Sequence, residues 1–345
     1  MTTMKKILAA ALLLGGAAHA ADSLLVTGAG ATFPFPLYSK WFDAYNKLRP
    51  DMRFNYQSIG SGGGIQQFTA GTVDFGATDA PMTAEELAKA PDAVHVPTVL
   101  GAVVLVYNAP LPGLKLTPEL LADVFLGKVA RWNDPAVAKV NPGIALPDVA
   151  VTVAHRSDGS GTTAIFTDYL AKVSPEWKEK VGAGKSVKWP VGLGGKGNEG
   201  VTGLVKQTPG AIGYVELAYA SQNKLSMASV RNRDGVFVEP SLASTSEAAA
   251  GVEMPADYRV SITDAPGKGA WPIASFTYLL VHRDAKDAAK GDAMLKFLWW
   301  AIHEGQALAA PLDYAPLPKA VVARVERTIQ GLTVQGKTVP VASAR

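Results

Sequence analysis

The stretch His155-Arg156-Ser157-Asp158-Gly159-Ser160-Gly161-Thr162-Thr163 decides how the chain is read. A β-branched run, 149–155, leads into it, and Ile165, Phe166, Tyr169 and Leu170 recur at helical spacing after it. The order is strand, glycine turn, helix. The first amides of a helix lack partners within it and sit at the positive end of its dipole, so an anion is favoured there. Glycine lets backbone approach a ligand closely, and serine and threonine hydroxyls add donors that rotate. The same design occurs twice upstream, at Thr27-Gly-Ala-Gly-Ala-Thr32-Phe33-Pro34 and at Ile59-Gly-Ser61-Gly-Gly-Gly64. One such turn alone reads more readily as an ordinary N-cap with a tight bend. Three in one chain, one of them carrying an arginine, point to a small tetrahedral oxyanion.

Outward from these turns the chain alternates. Short β-branched runs predict strands at 24–27, 53–58, 73–77, 102–107, 149–155, 211–215 and 277–282. Between the first two, Leu37, Trp41, Tyr45 and Leu48 mark a helix after Pro34 and Pro36. Strands alternating with helices imply α/β lobes with mainly parallel pairing. Segment 182–200, rich in Gly and Lys, reads as a long loop, and 230–270 as an irregular polar excursion. A helix is expected over 293–308, with Leu295, Leu298, Trp299 and Ile302 as a core-facing stripe.

At 345 residues the chain suits two lobes, taking roughly 150 residues per domain. Hydrophobic content of 48% against 18% charged residues excludes a disordered chain. The 33 basic and 30 acidic residues give a net charge too small to argue for nucleic acid or an anionic membrane. With no cysteine there is no disulfide, thiolate metal site, Cys nucleophile or lipidated N-terminal Cys. Lys5 and Lys6, the apolar run Ile7 to Gly15 and the small-x-small end Ala18-His19-Ala20 form a signal peptide, 1–20, cleaved after Ala20. Its removal leaves 31 basic and 30 acidic residues, a nearly neutral exported protein. No later apolar stretch reaches the ~20 residues of a membrane span; Ile273 to Val281 is broken by Ser275 and Thr277. The expected location is the periplasm, without a lipid anchor.

Competing motifs are weak. Gly195-Lys-Gly197-Asn-Glu-Gly200 matches a dinucleotide fingerprint but follows a glycine loop rather than a clear strand. No Gly-Lys-Ser/Thr of a Walker A loop occurs, and Ser61 and Ser160 lack the Gly-x-Ser-x-Gly of a hydrolase elbow. His95, His155, His282 and His303 are scattered without ligand spacing, so neither a metal nor a cofactor is expected.

Several segments then carry a family resemblance. Thr27 to Pro34, Tyr56 to Gly63, Val73 to Pro81, Arg156 to Thr162 and Pro209-Gly-Ala-Ile-Gly-Tyr-Val-Glu216 occur in the order found in the PstS family. These are the periplasmic phosphate-binding proteins of the phosphate ABC transporter. The chain resembles that family over nearly its whole mature length, most weakly at 228–268.

The resemblance implies a two-lobed α/β fold of the type II periplasmic-binding class, with a ligand cleft between the lobes. Lobe I would take 21–97 and 274–345, lobe II 98–273, and the crossings near Pro97-Thr98 and Pro272-Ile273 would act as a hinge. Carried over, the phosphate site falls on Thr32, Phe33, Ser61, Asp79, Arg156, Ser160, Gly161 and Thr162, with Asp158 orienting the arginine. Lys196 and Asn198 could stand near the cleft mouth, but a solvated loop is the preferred reading. Asp79 would accept a proton of phosphate that sulfate at pH 7 lacks, and such sites reject the deficient analogue by about 10⁴–10⁵. The implied protein is no enzyme. It binds inorganic phosphate and delivers it to a transmembrane permease served by a separate ATPase. A sulfate or molybdate receptor is the nearest rival. An exported phosphatase would need a metal cluster or activated nucleophile, and neither is seen.

Overall fold

Leu24–Gly30 (β1) is the first strand of the computed structural model, which describes residues 23–341. The expected signal peptide, 1–20, lies outside the described residues. β1 runs parallel to Met52–Ser58 (β2), from Leu24 opposite Met52 to Gly30 opposite Ser58, and to Phe75–Thr78 (β3). Helix Phe35–Leu48 (α1) makes the β1–β2 crossover, and Ser61–Thr69 (α2) the β2–β3 one. Leu37, Tyr38, Trp41, Phe42 and Tyr45 of α1 face the sheet; Leu48, expected in that stripe, is exposed.

The 15-residue strand Ala93–Tyr107 (β4) is the spine. It is buried at nearly every position, which suits its run of valines and leucines. On the far wing, Thr152–Arg156 (β5) lies parallel to Leu193–Gly195 (β6) and to Ala211–Glu216 (β7). Ala274–His282 (β8) completes the sheet, in the order β2-β1-β3-β8-β4-β7-β5-β6, with the short strand Ser226–Met227 also on β4. The mainly parallel pairing expected holds within each wing. At the spine β8 is antiparallel to β3 and β4, and β4 to β7.

β4 changes partner midway. Ala93 to Ala102 pair with β8, whereas Val103 to Tyr107 pair with β7. Pro97 and Thr98, expected at a crossing, lie inside the β8-paired half. They mark a register shift opposite Thr277 and Tyr278, where proline has no N–H to give the ladder. Thr98 Oγ1 restores a bond there by donating to the Thr277 carbonyl (3.1 Å). The lobes therefore share one strand, and Trp271 Nε1 donates to Val103 O (2.9 Å) where its partners change.

Two segments are more ordered than expected. Within 182–200 lie β6 and the start of helix Gly197–Gln207 (α4), because Gly195 and Gly200 pack backbone against backbone. Within 230–270, Val230 and Arg231 pair with Phe237 and Val238, and a Ser241/Ser244 capping box starts helix Leu242–Ala249. The helix expected over 293–308 spans Ala288–Ile302, and a further helix, Lys319–Gln330, follows it. Asp287 caps the start of the first, and Glu304–Leu308 tightens into a 3₁₀ turn. A third glycine-turn helix, Gly161–Val173 (α3), follows β5.

Glycine fixes how closely α2 seats on β1. A Cβ on Gly64 would stand 2.4 Å from Gly30 Cα and 2.7 Å from the Ala29 carbonyl. Gly64→Ala is expected to lower stability by about 1–3 kcal/mol through overpacking, read as a lower urea midpoint at unchanged m-value.

Candidate functional site

The three glycine turns converge. Thr32 and Phe33 precede α1, Ser61 opens α2, and Ser160 caps α3 by accepting from Thr163 N (3.0 Å). The first two turns belong to the β1–β3 wing and the third to the β5–β7 wing. Gly62 N donates to Gly159 O (2.8 Å), joining the wings by backbone alone. Gly161 is pressed against the opposite wing: a Cβ there would lie 2.4 Å from Ser61 Oγ and 2.5 Å from Asp79 Oδ2. The amides of Phe33, Gly161 and Thr162 have no protein acceptor among the described residues. They are the orphan donors expected where helices begin. The Phe33 ring packs against Gly101 in the core, so its place at the site is its backbone.

Arg156 ends β5 with 3% of its surface exposed. Its Nε and Nη2 grip Asp158 Oδ1 and Oδ2 at 2.7 and 2.5 Å, and Nη1 donates to Thr162 Oγ1 at 3.2 Å. Asp158 also accepts from Gly197 N (3.0 Å). Burial alone would raise the Asp158 pKa, but the bonds and charge of Arg156 and the Gly197 amide outweigh it, holding the group below its usual range.

Asp79, 1% exposed, sits just past β3. Thr277 Oγ1 donates to its Oδ1 (2.9 Å), and Ser61 Oγ to its Oδ2 (3.3 Å). Burial pushes its pKa up to about 7 against the opposing pull of Thr277, Arg156 and Ser61. His155, next to Arg156, stacks on Trp189, and burial lowers its pKa, so it takes up charge at lower pH than a free imidazole.

All the residues expected at the site come together: Thr32, Phe33, Ser61, Asp79, Arg156, Ser160, Gly161 and Thr162, with Asp158 behind the arginine. Sequence reading missed three others. Thr277 comes from β8, distant in the chain, with no local signal. Tyr219 OH donates to Thr32 O (2.6 Å) and fixes the first turn. Asn198, read as a solvated loop residue, is fully buried and bonded to both Thr32 and Thr162. Its signal was present: Leu193 to Gly200 is a fourth strand, glycine turn and helix start. Among the described residues, no group of three His, Asp or Glu side chains is placed to hold a metal ion, and no helix is long and apolar enough to cross a membrane. A surface cavity of about 460 Å³ beside Phe68, His282 and Lys290 lies outside the cluster.

The raised Asp79 pKa has a sign that can be measured. The folded protein holds this proton up to about pH 7, whereas the unfolded chain releases it near 3.8. Asp79 therefore costs stability increasingly as pH rises from about 4 to 7, and fully above that. Asp79→Asn is expected to raise the melting temperature of the ligand-free protein at pH 8 more than at pH 4.5, by calorimetry.

A model of the PBP superfamily domain matches residues 15–304. A phosphate-binding protein PstS of Pasteurella multocida is 48% identical over 327 residues, covering 93% of this chain and 94% of its own. A phosphate-binding protein PstS of Xylella fastidiosa strain Temecula1 is 49% identical over 314 residues, covering 90% and 86%. The crystal structure of a phosphate-binding protein from Stenotrophomonas maltophilia superposes with a TM-score of 0.68 at 18% identity, covering 88% of this chain and 94% of that one. This last likeness is one of fold.

Proposed function

The chain belongs to the PBP superfamily and to its PstS phosphate-binding proteins, and from that premise we propose that it is a periplasmic receptor that closes on one phosphate ion. It hands the ion to the membrane permease of an ABC importer, whose separate ATPase supplies the energy. The observation that carries this reading is the convergence of three helix N-termini, a clamped Arg156 and a buried Asp79, its pKa pushed up to about 7, in one cluster.

Donor and acceptor counting assigns the roles. The amides of Phe33, Gly161 and Thr162 and the hydroxyls of Thr32, Ser160 and Thr162 donate to phosphate oxygens, and Ser61 does so by turning its one proton from Asp79 to the ion. Arg156 keeps Nη hydrogens beyond those Asp158 and Thr162 take, adding charge-assisted bonds. Asp79 is the acceptor. Near neutral pH phosphate always carries at least one O–H, and that proton fills the bond to Asp79. Sulfate brings a lone pair to the same spot, and an ionised Asp79 repels it. A protonated Asp79 reverses this by becoming a donor. Sulfate discrimination should therefore narrow as pH falls through about 7.

We take the lobes as 21–97 with 274–345 and as 98–273, and assign 98–102, which pair with β8, to the first. Closure about Ala102-Val103 and Ile273 buries the ion, and Lys185 of the second lobe then pairs with Glu86 of the first (2.7 Å). The protein carries phosphate and does not hydrolyse its esters.

Calorimetric titration with phosphate and sulfate at pH 6 and 8 tests the reading. Stoichiometric phosphate binding, sulfate binding stronger at pH 6, and no phosphatase turnover are expected; phosphate ester turnover would overturn it. Arg156→Ala should weaken phosphate binding by about 1.5–3 kcal/mol, the range for bonds to charged groups. Asp79→Asn should retain much phosphate affinity while admitting sulfate without pH dependence. Undiminished discrimination in that variant would refute the role of Asp79.

A further inference from the structure

We infer that Asn198 is a positioning residue that sets the proton direction of two ligand-binding hydroxyls, turning both Thr32 and Thr162 into obligate donors toward the anion. The inference rests on the phosphate-receptor reading and deepens it. Asn198 is completely buried at the start of α4. The amide N–H of Glu216, which can only donate, points at its Oδ1 (2.9 Å). That contact fixes which end of the side-chain amide is oxygen, and so turns the NH₂ group toward the two threonines.

A hydroxyl has two lone pairs and one proton. Thr32 Oγ1 accepts from Asn198 Nδ2 (2.7 Å) and from Asn198 N (3.2 Å). Thr162 Oγ1 accepts from Asn198 Nδ2 (3.2 Å) and from Arg156 Nη1 (3.2 Å). With both lone pairs taken on each oxygen, the remaining function of each hydroxyl is to donate. Neither donates to a protein acceptor among the described residues. Both protons are left for the ligand.

Asn198 stands on the β5–β7 wing, as does Thr162, while Thr32 stands on the other. The Thr32 half of the arrangement is thus assembled when the wings meet. At these two corners a phosphate O–H finds no lone pair to receive its proton, because donor would face donor. A protonated oxygen is thereby directed toward Asp79, an acceptor when ionised. The carboxylate recognises the proton, and Asn198 removes two of the places where it could otherwise bind.

The test is a set of cycles read by phosphate titration. Asn198→Ala should weaken binding roughly ten-fold or more, the scale of a bond to a charged group. In a Thr32→Val/Thr162→Val background, which has no hydroxyls to direct, the same change should cost less than about two-fold. A purely structural asparagine would give equal losses in both backgrounds, and that result would overturn the inference. Asn198→Asp keeps Oδ1 for the Glu216 amide, so it serves where the alanine variant folds poorly. Its carboxylate accepts from both hydroxyls and turns their protons away. Its loss should exceed that in the valine background, where only the added charge acts; equal losses would likewise count against the inference. If wild type binds phosphate and Arg156→Ala weakens it while the Asn198 losses are additive, the receptor reading stands and this inference falls. Absence of phosphate binding by wild type removes both.

Discussion

The interaction on which the site depends is the two-pronged grip of Asp158 on Arg156, made where the arginine is almost wholly buried. A lone guanidinium in that position would be costly to desolvate, and removing one partner of such a pair leaves an uncompensated charge. The pair holds the fork rigid at the end of β5 and cancels most of its net charge. An anion arriving there meets directed hydrogens rather than bulk positive potential. The near balance of 33 basic and 30 acidic residues follows the same logic on the scale of the whole chain. Recognition by geometry does not need a strongly basic protein.

β4 gives that geometry a frame. One strand pairs with β8 over its first part and with β7 over its last, so the two wings hang from a shared rod. The turns bearing Thr32 and Ser61 lie on one side of it, and the turn bearing Arg156, Ser160 and Thr162 on the other. Contacts between the wings around the site are polar: Gly62 to Gly159, Asn198 and Tyr219 to Thr32, Lys185 to Glu86. Such contacts can be made and released without exposing a large apolar face, as a closing cleft requires.

What the sequence made legible was local grammar. Strand, glycine turn and helix start can be read from a dozen consecutive residues, and Thr32, Ser61, Ser160 and Thr162 came from that grammar together with the family resemblance. Asp79 and the orienting role of Asp158 rested on the resemblance, since either alone reads as a turn acid. Thr277 was invisible because its role arises from the antiparallel insertion of β8 beside β3, a pairing that joins residues about 200 positions apart. Asn198 was hidden for another reason. The Gly- and Lys-rich segment around it reads as a long loop, whereas Gly195 and Gly200 pack against each other and carry the helix start inward. Pro97-Thr98 misled similarly. A proline inside a buried strand marks a bulge as readily as a boundary, and here β8 absorbs the missing N–H.

In the proposed receptor, Asp79 links selectivity to closure. Its pKa is pushed up to about 7 because burial strips its water and the surrounding donors do not make up the loss. Above that pH, closing an empty cleft means either burying a poorly solvated carboxylate or taking up a proton from solution. A phosphate ion removes this cost by bringing the proton with it, while its other oxygens satisfy the orphan amides. A fully deprotonated oxyanion satisfies the amides and worsens the carboxylate. The same group that tells the two ligands apart therefore also opposes closure around nothing and around the wrong ion. Discrimination and the conformational change draw on one buried charge, and the hydroxyls fixed by Asn198 help direct the ligand proton to it.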